Sequence, residues 1–176
     1  PRPEYNKMMK DLIAALKANG PRIKPKVRLL YTGGHADNPE FFELLQQNDA
    51  HVVSDNTGFG TRAADVLICE DGDPLEAIIN YYFEEKPAAT RQMGTQVERM
   101  ERLLDLVKQY KADGVVASRL YMCDLWAFEH FLMRKRLHEN NVPFLELEVD
   151  YTPEGQGQIK TRVQAFVESL ADRQTA

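Results

Sequence analysis

The sequence predicts an α/β fold: a single domain with a four-stranded parallel sheet, helices on both faces, and the flavodoxin-like strand order 2-1-3-4. Three observations carry the prediction. Short apolar runs alternate four times with longer segments whose apolar residues recur every three to four positions. The runs end in clusters of Gly, Asn, Asp and Ser, as strands feeding turns do. The chain has 176 residues with no internal repeat, low-complexity stretch or linker, enough for one core.

Glu4–Asn19 is the first helix: Met9, Leu12, Ile13 and Leu16 fall at i, i+3, i+4 and i+7, and Gly20-Pro21 stops it. Lys26–Tyr31, with Val27, Leu29 and Leu30, is the first strand and runs into Thr32-Gly33-Gly34-His35. Asn38 caps a second helix to about Asn48, with Pro39 at its first position. His51–Ser54 is the second strand, followed by the turn residues Asp55-Asn56-Thr57-Gly58-Phe59-Gly60. Thr61–Asp73 shows no period. Asp73-Pro74 caps a helix to about Glu85 with Leu75, Ile78, Ile79 and Tyr82 on one face. A longer helix, about Gln92–Ala112, carries the stripe Met100, Leu103, Leu104 and Val107. Gly114–Ser118 is the third strand, and Asp124 caps the helix that runs to about Asn140. Phe144–Val149 alternates, as a strand with one partly exposed side does. The last helix, Gln156–Ala171, turns Ile159, Val163, Phe166, Val167 and Leu170 inward.

A net charge of −5 argues against a nucleic-acid partner, because phosphate binding needs clustered positive charge. Arg134-Lys135-Arg136 is the one compact basic run and reads as a solvated helix face. No apolar run reaches the roughly 20 residues of a membrane span. Two cysteines make no disulfide framework, and nothing resembles a signal peptide, so the expected compartment is the reducing cytoplasm. The chain starts at Pro1 without an initiator Met, as a trimmed chain or a piece of a longer one would.

Ligands of open parallel sheets bind beyond the carboxyl ends of the strands. Four segments belong there: Thr32–His35, Asp55–Gly60, Arg119–Asp124 and Asp150–Thr152. Gly33-Gly34 reads as a turn needing positive φ; no third glycine or Gly-Lys-Ser/Thr supports a nucleotide loop. His35 reads as a loop or capping histidine, and Asp55-Asn56 as bonding its own turn. Cys69, after Val66-Leu67-Ile68, is expected to be a small buried hydrophobe. Cys123 lies where a strand gives way to a helix. A helix N-terminus favours negative charge, and the thiolate is the form that binds metals or attacks electrophiles. Neither a Cys123–His35 nucleophile pair nor a structural role is excluded by the residues, and the Cys-x-x-Cys pairs of a zinc ribbon are absent.

Longer stretches resemble a known family. Gly114-Val115-Val116 leading to Cys123-Asp124, then Asn141–Tyr151, then Thr161–Glu168, are similar to the C-terminal domain of the 2-hydroxyacyl-CoA dehydratase and benzoyl-CoA reductase family. Val52-Val53-Ser54-Asp55 with Gly60, and Glu70–Leu75, agree. The resemblance implies that residues 1–176 are the C-terminal α/β domain of a longer iron–sulfur subunit. It implies an oxygen-sensitive [4Fe-4S] cluster, a homologous second subunit in a heterodimer, and an ATP-hydrolysing iron–sulfur activator that injects a low-potential electron. The substrate is then an acyl-CoA thioester, dehydrated in some members and reduced at an aromatic ring in others. Cys123 is implied to be one of three protein ligands to the cluster, the others lying in an N-terminal domain that this chain lacks, which would leave the isolated domain inactive. Gly33, Gly34, His35, Asp55, Asn56 and Asp124 are the candidate lining of the crevice. One departure stands out: many relatives carry a cysteine after Val-Val-x-Asp, where this chain has Asn56-Thr57-Gly58-Phe59-Gly60. Two other readings compete, a non-catalytic module that docks a subunit or an acyl-CoA tail, and a cysteine hydrolase using His35.

Overall fold

The structure, a computed structural model, describes residues 2–20, 23–34, 38–47, 49–150 and 156–174. Four parallel strands form one sheet: β1 (Val27–Gly33), β2 (Ala50–Asn56), β3 (Gly114–Leu120) and β4 (Phe144–Val149), in the order β2-β1-β3-β4. This is the predicted class and strand order. Six α-helices are described: α1 (Arg2–Asn19), α2 (Pro39–Leu45), α3 (Pro74–Asn80), α4 (Gln96–Gln109), α5 (Asp124–Glu139) and α6 (Gln156–Arg173). A 3-10 turn covers Thr61–Ala63, and a π turn, Tyr81–Glu85, continues α3.

The period-2 pattern of the strands divides the core into two layers. Val27, Leu29 and Tyr31 of β1 and Val116 of β3 face one side, where Leu45 of α2 and Val163, Val167 and Leu170 of α6 cover them. Leu30, Val115 and Ala117 face the other, against Met100, Leu103, Leu104 and Val107 of α4 and Met133 and Leu137 of α5. The two central strands are apolar on both sides because each side carries a helix layer. Asn38 caps α2 by accepting from Glu40 N at 2.9 Å, and Asp73 caps α3 by accepting from Leu75 N and Glu76 N.

The apolar stripes of two helices lie outside the core. No residue of α1 is buried, and Leu12, Ile13 and Leu16 are about half exposed. Leu75, Ile78, Ile79 and Tyr82 of the α3 segment also face outward, while Tyr81 is the buried residue there. Helical periodicity records that a helix has an apolar face; it does not say whether the same chain covers it. Bounds also shift: α2 stops at Leu45, α4 spans only Gln96–Gln109, and β1, β2 and β3 continue through Gly33, Asn56 and Leu120.

Register fixes the rim of the sheet. Thr32 pairs with Asn56 and with Ala117, Gly33 with Ser118, and Leu120 with Val149, so the strands finish on one edge. At Gly33, φ is 144°, and a Cβ would lie 2.3 Å from the Ser118 carbonyl oxygen. We expect Gly33→Ala to cost about 3 kcal/mol of unfolding free energy, measured by urea denaturation; a loss below about 1 kcal/mol would refute a backbone contact of this tightness.

Candidate functional site

The β2 exit is built around one carboxylate. Asp55 Oδ1 accepts from Thr57 N at 2.9 Å and Thr57 Oγ1 at 2.6 Å, and Oδ2 accepts from Thr61 Oγ1 at 2.9 Å. Thr61 N adds contacts of 3.2 and 3.3 Å to the two oxygens. The carboxylate occupies the space a side chain at Gly60 would need, since a Cβ there would sit 1.9 Å from Oδ1. Burial alone would raise the Asp55 pKa; the bonds from Thr57 and Thr61 overcome it and hold the group below the usual carboxylate value. Asp55 thus ties its own turn, as read from sequence.

The β3 exit carries the thiol. Met122 takes the left-handed conformation, φ 62°, and Cys123 N donates to Leu120 O at 3.1 Å. Cys123 is half-buried and occupies the N-cap position of α5, with no side-chain capping bond. Asp124, expected as the cap, is instead the first helical residue, because the chain turns into the helix one residue earlier. Exposed apolar side chains surround this turn: Tyr121, Met122, Leu125 and Phe128. Trp126 is half-buried against the α4 and α5 layer, which gives it a packing role, whereas Phe128 stands in solvent.

Between the β1 and β2 exits and the 84–90 segment lies a cleft of about 220 Å³. Thr32 and Asn56 form its floor, with Arg62, Arg99, Trp126 and Glu129 among its walls. Arg99 and Glu129 make a buried fork-on-fork pair, Nε to Oε1 at 2.7 Å and Nη2 to Oε2 at 2.8 Å. Nη1 of Arg99 donates to Thr95 Oγ1 at 2.6 Å, Gln92 O at 3.1 Å and Ala89 O at 3.3 Å. One guanidinium therefore joins α4, α5 and the 89–95 segment. Arg102 pairs with Asp65 nearby. Burial and the neighbouring Arg99 charge both work against the Arg62 charge, lowering its pKa.

The α5 helix is inverted along part of its length. It buries Glu129 and His130 while Leu125, Phe128 and Phe131 face out. His130 Nδ1 lies 3.4 Å from Glu146 Oε1, without the alignment of a hydrogen bond. Its ring packs edge-on between Trp126 and Phe144, and burial lowers its pKa. Tyr31 Oη and Ser118 Oγ share a 2.5 Å hydrogen bond in the interior, and burial pushes the Tyr31 phenol up to about 12.

The candidate residues thus share the strand-exit edge but not one cavity. Asn56 lines the cleft; Gly34 sits beside it, where a Cβ would be 3.5 Å from Trp126 Nε1. Asp55 faces a separate open depression with Phe59 and Tyr110. Cys123 and Asp124 line neither space. His35 and Tyr151-Thr152 lie outside the described residues. Cys69, expected to be buried, is exposed, because Val66–Ile68 runs through an irregular surface segment; its Sγ reaches Asp71 O at 3.7 Å. Arg134 and Arg136 pair with Glu146 and Glu101 on the surface, as a solvated face does. The residues that sequence reading missed are Arg99 and Glu129. Arg99 precedes Leu103 and Leu106 at i+4 and i+7, so a charge on the buried stripe of α4 was the available signal.

Among the described residues, no group of three or more His, Cys, Asp or Glu side chains is arranged to hold a metal ion, and no helix is long and apolar enough to cross a membrane.

Two outcomes follow from the ionic contacts. Because the Asp55 pKa is lowered by folding, its contribution is complete above the ordinary carboxylate pKa of about 3.9 and is lost as pH falls through the lower folded value. Asp55→Asn should therefore melt below the parent at neutral pH, with the gap narrowing under about pH 4. A gap independent of pH in thermal melts would refute the anchoring role. Arg99→Met strands a buried carboxylate and should cost about 3–5 kcal/mol in chemical denaturation, partly recovered by adding Glu129→Leu. Lack of recovery would mean that the contacts to residues 89–95, not the ion pair, dominate.

The sequence profile of the family described as "2-hydroxyglutaryl-CoA dehydratase, D-component" matches residues 1–170. YjiM of Escherichia coli (strain K12), provisionally named a dehydratase subunit, is 29% identical over 156 residues, 86% of this chain and 39% of its own length. The (R)-phenyllactyl-CoA dehydratase beta subunit of Clostridium sporogenes is 25% identical over 171 residues, 95% of this chain and 44% of that protein. A benzoyl-CoA reductase subunit of Thauera aromatica is 21% identical over 173 residues, 97% of this chain and 45% of that protein. The chain spans less than half the length of these curated relatives. A profile match over nearly all of its residues places this chain in the 2-hydroxyglutaryl-CoA dehydratase D-component family.

Proposed function

We propose that residues 1–176 form the C-terminal domain of a longer 2-hydroxyacyl-CoA dehydratase subunit, and that Cys123 supplies one protein ligand to a [4Fe-4S] cluster. The observation that carries this reading is the position of Cys123: a free, half-buried thiol at the strand-exit edge, ringed by exposed apolar side chains, in a chain of this family. One thiol fits one corner of a cluster. The remaining ligands would come from elsewhere in the subunit.

When bound, such a cluster would supply low-potential one-electron chemistry and a Lewis-acidic iron. The chain's own residues do the positioning. The left-handed Met122 and the Cys123 N–H bond to Leu120 O fix the sulfur relative to β3. Tyr121, Met122, Leu125 and Phe128 form an apolar collar that excludes water once covered. The Arg99–Glu129 pair holds the 89–95 segment beside the neighbouring cleft. The partners this function requires are a homologous second subunit, an ATP-dependent iron–sulfur activator and an acyl-CoA thioester.

A second reading is a benzoyl-CoA reductase-type subunit, favoured by the similarity to the Thauera aromatica protein. A third is a non-catalytic module that docks a partner through its exposed apolar faces; a parent coding sequence with no further cysteine-bearing domain would favour it. The test is anaerobic iron–sulfur reconstitution of the full-length subunit with Cys123→Ser. Cluster occupancy, read from iron and sulfide content and visible absorbance, should fall by roughly tenfold or more, since changes even beyond the ligands cost that much. Full retention of the cluster would reject the ligand role.

A further inference from the structure

One cation of the strand-exit cleft lacks a counterion. Arg62 is half-buried in the cleft wall, and its guanidinium makes no ion pair or hydrogen bond among the described residues. The two carboxylates that act on its charge are already engaged. Glu129 has both oxygens on Arg99, and Asp55 is held by Thr57 and Thr61. Arg102, also in the wall, is paired with Asp65. Glu84, Glu85 and Glu98 line the cleft as well, but they are exposed and form no ion pair with Arg62 among the described residues. A guanidinium drawn out of water beside a second guanidinium works against folding, and the lowered Arg62 pKa reflects that cost.

The chain nevertheless builds a support for this group. Arg62 sits in the 3-10 turn Thr61–Ala63, and Thr61 ties that turn to the Asp55 carboxylate through its N–H and its hydroxyl. Two more donors line the same cleft without an acceptor among the described residues: the Asn56 side-chain amide and the Trp126 indole N–H. Three donors lacking acceptors suit an anionic oxygen ligand, and a planar guanidinium suits a carboxylate, which accepts two parallel bonds. Val66, Pro87, Met100 and Met133 add apolar wall, which suits a hydrocarbon body behind the charge. The volume of about 220 Å³ is below the roughly 300–1,000 Å³ of sites for larger ligands, so that body is short. One unpaired cation balances one negative charge, and the exposed glutamates disfavour the second charge of a phosphate.

We propose that this cleft binds the carboxylate of a short-chain organic acid, with Arg62 as the recognition residue and Asn56 and Trp126 as accessory donors. The carboxylate is presented either by a free acid or by the far end of an acyl thioester. Only the second source rests on the function proposed above.

Calorimetric titration of the chain provides the test, with butyrate as the free acid and S-succinyl pantetheine as the thioester. At least one should bind with a Kd of about 1 mM or tighter, and the tighter one names the source. Arg62→Met should weaken that binding about tenfold or more, and Arg62→Lys less, because lysine keeps the charge without the fork. Without ligand, Arg62→Met should melt no lower than the parent, since it removes an unpaired charge. Cys123→Ser should leave the binding unchanged, which separates this assignment from that of the cluster ligand. Absence of binding by both probes, equal binding of the neutral butyramide, or tighter binding of inorganic phosphate would each overturn the proposal. So would an Arg62→Met chain that melts several degrees below the parent, because Arg62 would then be a structural cation.

Discussion

The pairing of β1 with β3 is the constraint on which the molecule depends. Its register sets Leu29 opposite Gly114 and Gly33 opposite Ser118, so both ends of the central ladder are pinned by glycines. Gly33 allows the β1 backbone to approach the Ser118 carbonyl closely, and Gly34 N then donates to that same oxygen at 3.2 Å. The Tyr31–Ser118 hydrogen bond joins the same two strands from the side. At the other end, Arg28 N donates to Asp113 Oδ2 at 2.8 Å, and the Arg28 guanidinium holds the Tyr110 carbonyl, so the end of α4 enters β3 at a fixed height. Shifting this register by one residue would turn the apolar residues of two double-faced strands toward the wrong helix layer. It would also move the β3 exit, and Cys123 with it, along the sheet edge.

What covers the rim follows from how α5 departs from amphipathic order. A helix against a sheet ordinarily buries its apolar side chains, yet α5 spends two inward positions on Glu129 and His130 and turns Leu125, Phe128 and Phe131 outward. Glu129 is compensated by Arg99 with two short bonds, a geometry that repays the desolvation of both groups. His130 has aromatic neighbours and a carboxylate near one nitrogen. Glu146 in turn faces Arg119, Arg134 and His130; burial would raise its pKa, but its contacts with Arg134 and His130 lower it below the usual value. The inner face of α5 thus joins the apolar Met133 and Leu137 to the buried polar pair Glu129 and His130, while Leu125, Phe128 and Phe131 stay exposed on its outer face.

Much of the architecture was legible in the sequence. The strands announce themselves as Val- and Leu-rich runs, and Asn38-Pro39 and Asp73-Pro74 mark helix starts that the structure reproduces to the residue. Alternation of strands and helices predicted the order, because short crossovers restrict how a parallel sheet can be wound. The misreadings share one cause: a local pattern does not say where a surface ends. The stripes of α1 and of α3 turn outward, and Cys69 inherited a buried reading from apolar neighbours that lie outside. The candidate site was legible only in its chain-local parts. Gly33, Asp55 and Cys123 stand on chain-local signals, whereas the Arg99–Glu129 pair joins residues thirty positions apart and leaves only a charge on an apolar stripe as its trace.

The left-handed backbone at Met122 is unusual for a residue with a side chain, and it carries a cost of order 1 kcal/mol. Glycine would adopt it without strain, but it would also free the hinge that aims the sulfur of the next residue. Robustness and precision are therefore opposed at this position: relieving the strain with glycine would also loosen the turn that orients the Cys123 thiol.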